Sequence, residues 1–413
     1  MYNLIIIGSG AAGIACAHQA KKLGLSAVLI DEDKDSFGGT CLNRGCIPTK
    51  LFLNSAKLNK SWKDTYLLKK AVVNKIKTQS LQFLQKQGLE VLWGKVSFLD
   101  KNSLKVGSET IVGKYIVVAS GSLPKLIIDD PKVISADALF KQREIPEKVL
   151  IVGGGYIGIE IASLLNSFGS NVSLVERENS ILPFFNPYLA NRLRIILQRK
   201  GIKIETDKSY QDCKLDEYDL IISAVGRKPN TESLELANAG IDYDSKGWIK
   251  TNEHLATNID NIYACGDVTG KKLLAYVGEY QAKICIPNIK EGNHLKENYS
   301  NIPECVFSQP SLARIGILED QAKAQGLKYR VIQSNFLKFS SSYVYGDTDG
   351  FIQIVVSEDD TIIGAGVIST LAAELISTLT LCVRKHLKLS DLKEMLLIHP
   401  SLSEILSLIA SQA

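Results

Sequence analysis

The chain lacks an unbroken hydrophobic run of bilayer length, an excess of charge of either sign, and any cysteine pair at metal-binding CxxC spacing. Each absence excludes something. The apolar stretch Val149–Leu165 is interrupted by four glycines and by Glu160. It therefore reads as strand–turn–helix and not as a membrane span, which needs about 20 apolar residues. Lysine and arginine total 48 against 44 aspartate and glutamate, a net charge of +4 scattered along the chain. That balance argues against a nucleic-acid or membrane-surface partner. The eight cysteines lie mostly far apart, so a structural zinc site is not indicated. Met1-Tyr2-Asn3 leads directly into an apolar strand, so the reading expects no signal or transit peptide and a cytoplasmic protein. In that reducing compartment a disulfide is more often catalytic than structural.

What is present is ordinary in bulk and specific in detail. A chain of 413 residues, 45% hydrophobic and 22% charged, is long enough for two or three globular domains with sizeable cores. Leu4–Ile7 is an apolar strand running into Gly8-Ser9-Gly10-Ala11-Ala12-Gly13, then a helical pattern through Lys22, then a strand over Ser26–Ile30 followed by Asp31. Such a turn, between strand and helix, lets the backbone approach a pyrophosphate at a helix N-terminus. The acid about twenty residues on takes ribose hydroxyls, and Asp31 is chosen, with Glu32 as the alternative. A second fingerprint repeats the pattern: strand Val149–Val152, turn Gly153-Gly154-Gly155-Tyr156-Ile157-Gly158, a helix through Leu165, and strand Val172–Val175 ending at Glu176. Two fingerprints imply two dinucleotide sites, or a duplicated fold with one site idle, and two sites are the favoured reading. A carboxylate at Glu176 favours NAD over NADP because it repels a 2′-phosphate.

Between the fingerprints lies Gly38-Gly39-Thr40-Cys41-Leu42-Asn43-Arg44-Gly45-Cys46-Ile47-Pro48-Thr49-Lys50. Residues five apart on a regular helix point about 140° away from each other and are offset by about 7.5 Å. A disulfide needs closer, converging positions. The pair Cys41 and Cys46 can bridge only where the backbone is distorted, and Gly45 and Pro48 permit that.

This stretch resembles the redox-disulfide signature of the flavin-dependent pyridine nucleotide–disulfide oxidoreductases, with wording nearest their dihydrolipoamide-oxidising branch. Further landmarks follow in the family's order. Ala119-Ser120-Gly121-Ser122 resembles its strand-end turn, with Ser120 where Thr is usual. Ala224-Val225-Gly226-Arg227-Lys228-Pro229-Asn230 resembles the turn closing the nicotinamide domain, and Asn261–Asp267 the segment whose aspartate holds the flavin ribityl chain. The ending His399-Pro400-Ser401-Leu402-Ser403-Glu404 resembles its C-terminal His–Glu motif.

The resemblance implies an α/β fold with two Rossmann-like dinucleotide-binding domains and a C-terminal α+β dimerisation domain. Residues 1–143 with 251–302 would bind FAD, 144–250 NAD, and 303–413 would dimerise. FAD contacts are expected at Gly8, Gly10, Gly13, Asp31, Gly39, Thr40, Lys50, Val96, Ser120, Gly121, Ser122, Asp267, Leu274 and Ala275. NAD contacts are expected at Gly153, Gly155, Tyr156, Ile157, Gly158, Glu176 and Gly226. Cys41 would be the interchange thiol and Cys46 the thiol beside the flavin. His399, oriented by Glu404 and supplied by the other subunit of a homodimer, would be the base. Lys50 and Glu160 would be an ion pair beside the flavin. The implied activity is oxidation of dihydrolipoyl groups with NAD⁺. The implied partner is a lipoyl-bearing acyltransferase subunit of a 2-oxoacid dehydrogenase complex or a glycine-cleavage carrier protein.

The pattern also departs from the family. Thr206–Tyr218 is polar and too short for the β-meander expected there, Leu274-Ala275-Tyr276 stands for the usual LAH, and Ser311 replaces a glutamate. These departures keep two alternatives open: a reductase of another small disulfide, or a non-catalytic flavoprotein with a decayed NAD domain.

Overall fold

The computed structural model describes residues 2–412. Its first sheet has seven strands, and the strand Tyr2–Ile7 lies at its centre between Ala27–Asp31 and Glu109–Val118, parallel to both. Leu4–Ile7 is buried throughout, which is why it reads as a continuous apolar run and not as an alternating one. Leu4 and Ile6 pack into the core under the first helix, whereas Ile5 and Ile7 pack into a second core on the opposite face. Each such side chain contributes about 1.5–3 kcal/mol by leaving water. Ile262–Ala264 joins this sheet beside Ile116–Val118, so the chain leaves the first layer, builds a second sheet and returns.

The second sheet is parallel, ordered Lys203–Glu205, Asn171–Val175, Lys148–Val152, Leu220–Ser223, Val133–Ser135. It thus takes in Val133–Ser135, which the sequence reading had assigned to the first domain's range. Between Glu205 and Leu220 the chain makes only two short 3₁₀ turns, Tyr210–Asp212 and Leu215–Glu217, where a β-meander would otherwise stand. The third sheet is antiparallel and five-stranded, with the helix Ala372–Arg384 against it. Its outer face shares a core with the second sheet, where Leu189 sits so close over Gly366 that a Cβ there would lie 2.2 Å from the Leu189 side chain.

The sequence pattern reads Lys50–Gln87 as mostly helical, Leu89–Phe98 as strand and Leu389–Leu397 as helix, and the structure differs from each for local reasons. The helical stretch from Lys50 to Gln87 is two helices, broken before Ser61, whose hydroxyl oxygen accepts the Asp64 N–H at 3.1 Å and caps the second. The strand expected over Leu89–Phe98 is two strands, Glu90–Trp93 and Val96–Phe98. Gly94, at φ +159°, turns the chain from a parallel to an antiparallel partner. The helix expected over Leu389–Leu397 stops at Lys393, and the chain beyond runs out with Leu396 and Ile398 exposed. A final helix, Glu404–Ala410, buries Ile405, Leu406 and Ile409 on one face.

Candidate active site

One open cleft of about 2190 Å³ runs between the first two sheets and the antiparallel third. Both fingerprints reach it. In the first, Gly8 has φ +100°, and a Cβ there would lie 2.4 Å from the Ala119 carbonyl oxygen. Helix α1, Ala11–Lys22, has Gly10 as its N-cap with no side-chain cap, so its first N–H groups are free for an anion. Gly10 leaves open space on its side-chain face. Gly13 does not line the cleft: a Cβ there would sit 1.8 Å from the Gly8 carbonyl oxygen, so its absence lets helix pack on turn. Asp31 accepts the Ser9 N–H at 2.7 Å and the Ser36 hydroxyl at 2.7 Å. Glu32 also lines the cleft but is exposed, 3.7 Å from Lys95.

Gly39, Thr40, Val96, Ser120, Gly121, Ser122, Asp267, Leu274 and Ala275 all line the same half. Ser120 has a buried hydroxyl with no partner of its own, which an FAD hydrogen-bonding group would satisfy. Burial raises the Asp267 carboxyl above its ordinary range, with the Ser122 hydroxyl at 2.6 Å and Arg227 opposing the rise. The residues present fit FAD.

The second fingerprint repeats the construction. Gly153, at φ +108°, would place a Cβ 2.6 Å from the Ala224 carbonyl oxygen, and Gly158 would place one 1.8 Å from that of Gly153. Gly158, like Gly13, stands behind the cleft wall, whereas Gly155, Tyr156, Ile157 and Gly226 line it. The buried Glu176 carboxylate accepts the Gly154 N–H at 2.6 Å and the Glu178 N–H at 2.8 Å. That holds a carboxylate at the cleft mouth, where two ribose hydroxyls of NAD would donate to it.

The dithiol stands between the two halves. Helix α2, Gly39–Arg44, ends at Gly45, and α3, Cys46–Lys57, begins directly after it. A Cβ on Gly45 would lie 3.1 Å from the Thr40 carbonyl oxygen and 3.4 Å from the Cys41 Cα, so a side chain there would crowd the start of α3 against α2. The break puts both free thiols on the wall of one cleft, whereas on a continuous helix they would point about 140° apart. The Cys46 thiol's hydrogen bond lowers the Cys41 pKa, burial opposes, and the Cys46 and Ile47 N–H groups at the α3 N-terminus reinforce the lowering. The same hydrogen bond and burial raise Cys46. The pair therefore gives up one proton readily and holds the second.

Glu160 lines the cleft beside the cysteines and accepts the Phe307 N–H at 3.0 Å. Burial raises its pKa to about 7 against the opposing effects of that N–H and of Lys50. Lys50 stands behind the cleft wall, its ammonium 4.0 Å from the centre of the Phe307 ring. The direct ion pair expected between Lys50 and Glu160 is not formed within 4.0 Å: the ring holds the ammonium, and the two charges interact at longer range.

His399 and Glu404 lie on the dimerisation layer. The His399 Nδ1 and Glu404 Oε1 are 2.8 Å apart, and the other carboxylate oxygen accepts the Ser401 N–H at 2.8 Å. These contacts, the Ser401 N–H first, hold the Glu404 carboxyl below its ordinary range. The His399 side chain is 71% exposed, and neither residue lines the cleft of its own chain. Within one chain, the pair is apart from the cysteines.

The structure adds groups to the cleft that the sequence reading left without a role. Arg227 donates to Ser122 at 2.7 Å and to Asp137 at 3.1 Å in a nearly buried ion pair, with Arg44 3.6 Å from the same aspartate. Glu304 accepts from Arg314 at 2.6 Å, Tyr156 at 3.0 Å and Lys272 at 3.1 Å. Burial alone would raise Glu304, and the two cations outweigh it and hold it low. Glu304 and Arg314 are register partners on adjacent antiparallel strands, and opposite charges on neighbouring strands were the available signal. Asp137 offered none.

A cleft with two nucleotide cradles and a dithiol at their junction defines an oxidoreductase that moves electrons between thiols and a pyridine nucleotide. The chain belongs to the pyridine nucleotide-disulphide oxidoreductase family: its family model matches residues 2–282, and the family's dimerisation domain matches residues 302–409. FAD and NAD are the cofactors, and the dimerisation domain makes the assembly a homodimer. The chain is 32% identical to a dihydrolipoyl dehydrogenase from Chlamydia muridarum, over 98% of this chain and 95% of the relative. It is 30% identical to one from Staphylococcus aureus, over 98% and 94%. Among solved structures it resembles the Cu(II) complex of RclA, an HOCl-induced flavoprotein disulfide reductase from Escherichia coli. There the TM-score is 0.94 at 30% identity, covering 100% of this chain and 99% of the other. Among the described residues no helix is long and apolar enough to cross a membrane, and no cluster of three or more His, Cys, Asp or Glu suits a metal ion.

Proposed function

We propose that the protein is a dihydrolipoyl dehydrogenase, oxidising dihydrolipoyl groups on a carrier protein and reducing NAD⁺. The observation that carries this reading is the Cys41–Cys46 pair, which lines the same cleft as both fingerprints. The names of the Chlamydia and Staphylococcus relatives support the substrate. The carrier would be the acyltransferase subunit of a 2-oxoacid dehydrogenase complex or a glycine-cleavage carrier protein.

The step assigned to this chain's residues is thiol–disulfide exchange. With the Cys41–Cys46 disulfide formed, His399 of the second copy takes a proton from one substrate thiol, and Glu404 stabilises the imidazolium. The substrate thiolate attacks the Cys41 sulfur, forms a mixed disulfide and expels Cys46 as a thiolate. The second substrate thiol attacks the mixed disulfide, closes the lipoyl disulfide and expels Cys41, whose sulfur takes that thiol's proton, so two electrons and two protons leave the substrate. Bound FAD supplies the two-electron relay from the dithiol to NAD⁺. Glu160 and Lys50 set the local charge, while Asp31, Asp267 and Glu176 position the cofactors.

A second reading, reduction of another low-molecular-weight disulfide with a reduced pyridine nucleotide, draws on the likeness to the flavoprotein disulfide reductase. Both readings use the same dithiol in opposite directions. Anaerobic titration of the purified flavoprotein with dihydrolipoamide, followed by NAD⁺, separates them. The proposal expects long-wavelength absorbance from a thiolate beside the flavin, then its loss as NADH forms. No reaction with dihydrolipoamide, together with NADH-driven reduction of another disulfide, overturns it.

A further inference from the structure

The missing β-meander leaves the question of what walls the outer half of the nucleotide cleft. The short segment in its place is well anchored. The Glu176 N–H donates to the Glu205 carbonyl at 2.9 Å, the Lys208 N–H to the Glu176 carbonyl at 3.0 Å, and the Asp207 N–H to the Glu178 carbonyl at 3.0 Å. The segment thus grips both flanks of the residue that carries the ribose-facing carboxylate. Ser209 and Asp212 cap its first 3₁₀ turn reciprocally. On its apolar side, Tyr210, Leu215 and Tyr218 pack on the small core containing Val152 and Val175. On its other side, Lys208, Ser209, Tyr210 and Gln211 line the cleft next to Glu176 and Arg177.

Tyr210 belongs to both sides, a half-buried aromatic fixed by the core beneath it and bordering the cleft above. A fixed aromatic next to a ribose-binding acid is a stacking surface for a planar base. The cations nearby are already neutralised: Lys208 lies 3.1 Å and Lys203 3.3 Å from the Glu205 carboxylate, and Arg177 lies 3.2 Å from Glu178. Each cation beside the site thus already has a carboxylate partner.

We propose that Lys208–Gln211 builds the adenosine subsite of this cleft, with Tyr210 as the wall for the adenine and Glu205 as a determinant of preference for the unphosphorylated ribose. The inference rests on the second fingerprint's binding NAD. It makes the shortened domain a rebuilt nucleotide site.

ADP-ribose isolates this subsite from the nicotinamide and from the dithiol chemistry, so calorimetric titration of the FAD-loaded dimer with ADP-ribose is the test. Tyr210→Leu keeps an apolar side chain on the small core while removing the ring, and should weaken ADP-ribose about tenfold with flavin content unchanged. Tyr210→Phe should bind as the parent does. Glu205→Gln should raise affinity for 2′-phospho-ADP-ribose relative to ADP-ribose severalfold. Unchanged ADP-ribose affinity in Tyr210→Leu overturns the adenine wall, and no relative gain in Glu205→Gln overturns the charge assignment. Failure of the parent protein itself to bind ADP-ribose is a different result, because it removes the nucleotide reading of the second fingerprint as well.

Discussion

The dithiol shows how one glycine decides a chemistry. Cys41 and Cys46 share one cleft wall because the helix breaks between them at Gly45, where a Cβ would crowd Thr40 and Cys41. Replacing Cys46 by serine keeps the size and removes the electron-carrying sulfur. The variant should retain FAD and lose at least about a hundredfold in dihydrolipoamide-dependent NADH formation, about 3 kcal/mol in transition-state terms, read in a steady-state assay. Turnover near the parent's would sink the assigned role. Glu160 gives a prediction with a sign. Its pKa is raised from the ordinary 4.5 to about 7, so between those values the folded chain binds more protons than the unfolded one. This group's contribution therefore falls as pH rises from 5 to 8. Glu160→Gln should gain stability relative to the parent across that window, by up to about 3 kcal/mol, in chemical denaturation at several pH values. A constant difference would show that Glu160 titrates normally.

At the level of elements, the parallel strands, both fingerprint turns and the dithiol helix were legible because each rests on local rules. These are buried apolar runs, glycines where a Cβ would collide, and a helix start without a side-chain cap. The two fingerprints also allow a clean separation. In Gly158→Ala the new methyl would lie 1.8 Å from the Gly153 carbonyl oxygen and would push the helix Tyr156–Ser167 from its turn. We expect NAD⁺ binding to weaken more than tenfold by titration, with flavin content intact. Loss of FAD instead would mean the two halves are not independent.

What was not legible was nonlocal. Arg227 sits in a quoted motif, but its partner Asp137 is ninety residues away and nothing near Asp137 announces it. The Lys50–Glu160 pairing was inferred from motif membership, and Phe307 intervenes with its ring. The helix expected over Leu389–Leu397 followed apolar spacing, yet part of that spacing, at Leu396, is exposed. Leu396 and Ile398, exposed beside His399, suit a surface that a second copy covers.

Across the whole molecule, the placement of His399 away from its own chain's cleft predicts complementation. Cys41→Ser and His399→Gln dimers should each be nearly inactive. After subunits are mixed in equal amounts and allowed to exchange, half of the dimers are hybrids, each with one complete site of two. About a quarter of the parent specific activity should return. No recovery despite demonstrated exchange would place the base in the same chain as the dithiol.

Glu304 carries a last consequence. It belongs to the antiparallel sheet, yet it accepts from Tyr156 at the start of the second fingerprint's helix and from Lys272 just before the flavin-side helix. Separating these bodies takes the Tyr156 or Lys272 donor from Glu304 and leaves it Arg314 on its own sheet, a loss of about 1.5–3 kcal/mol for each hydrogen bond to the charged group. The three layers should therefore melt as one cooperative unit, giving a single calorimetric endotherm. Glu304→Gln should split that endotherm into separate, earlier events, turning a protein that unfolds all at once into one that unfolds by parts.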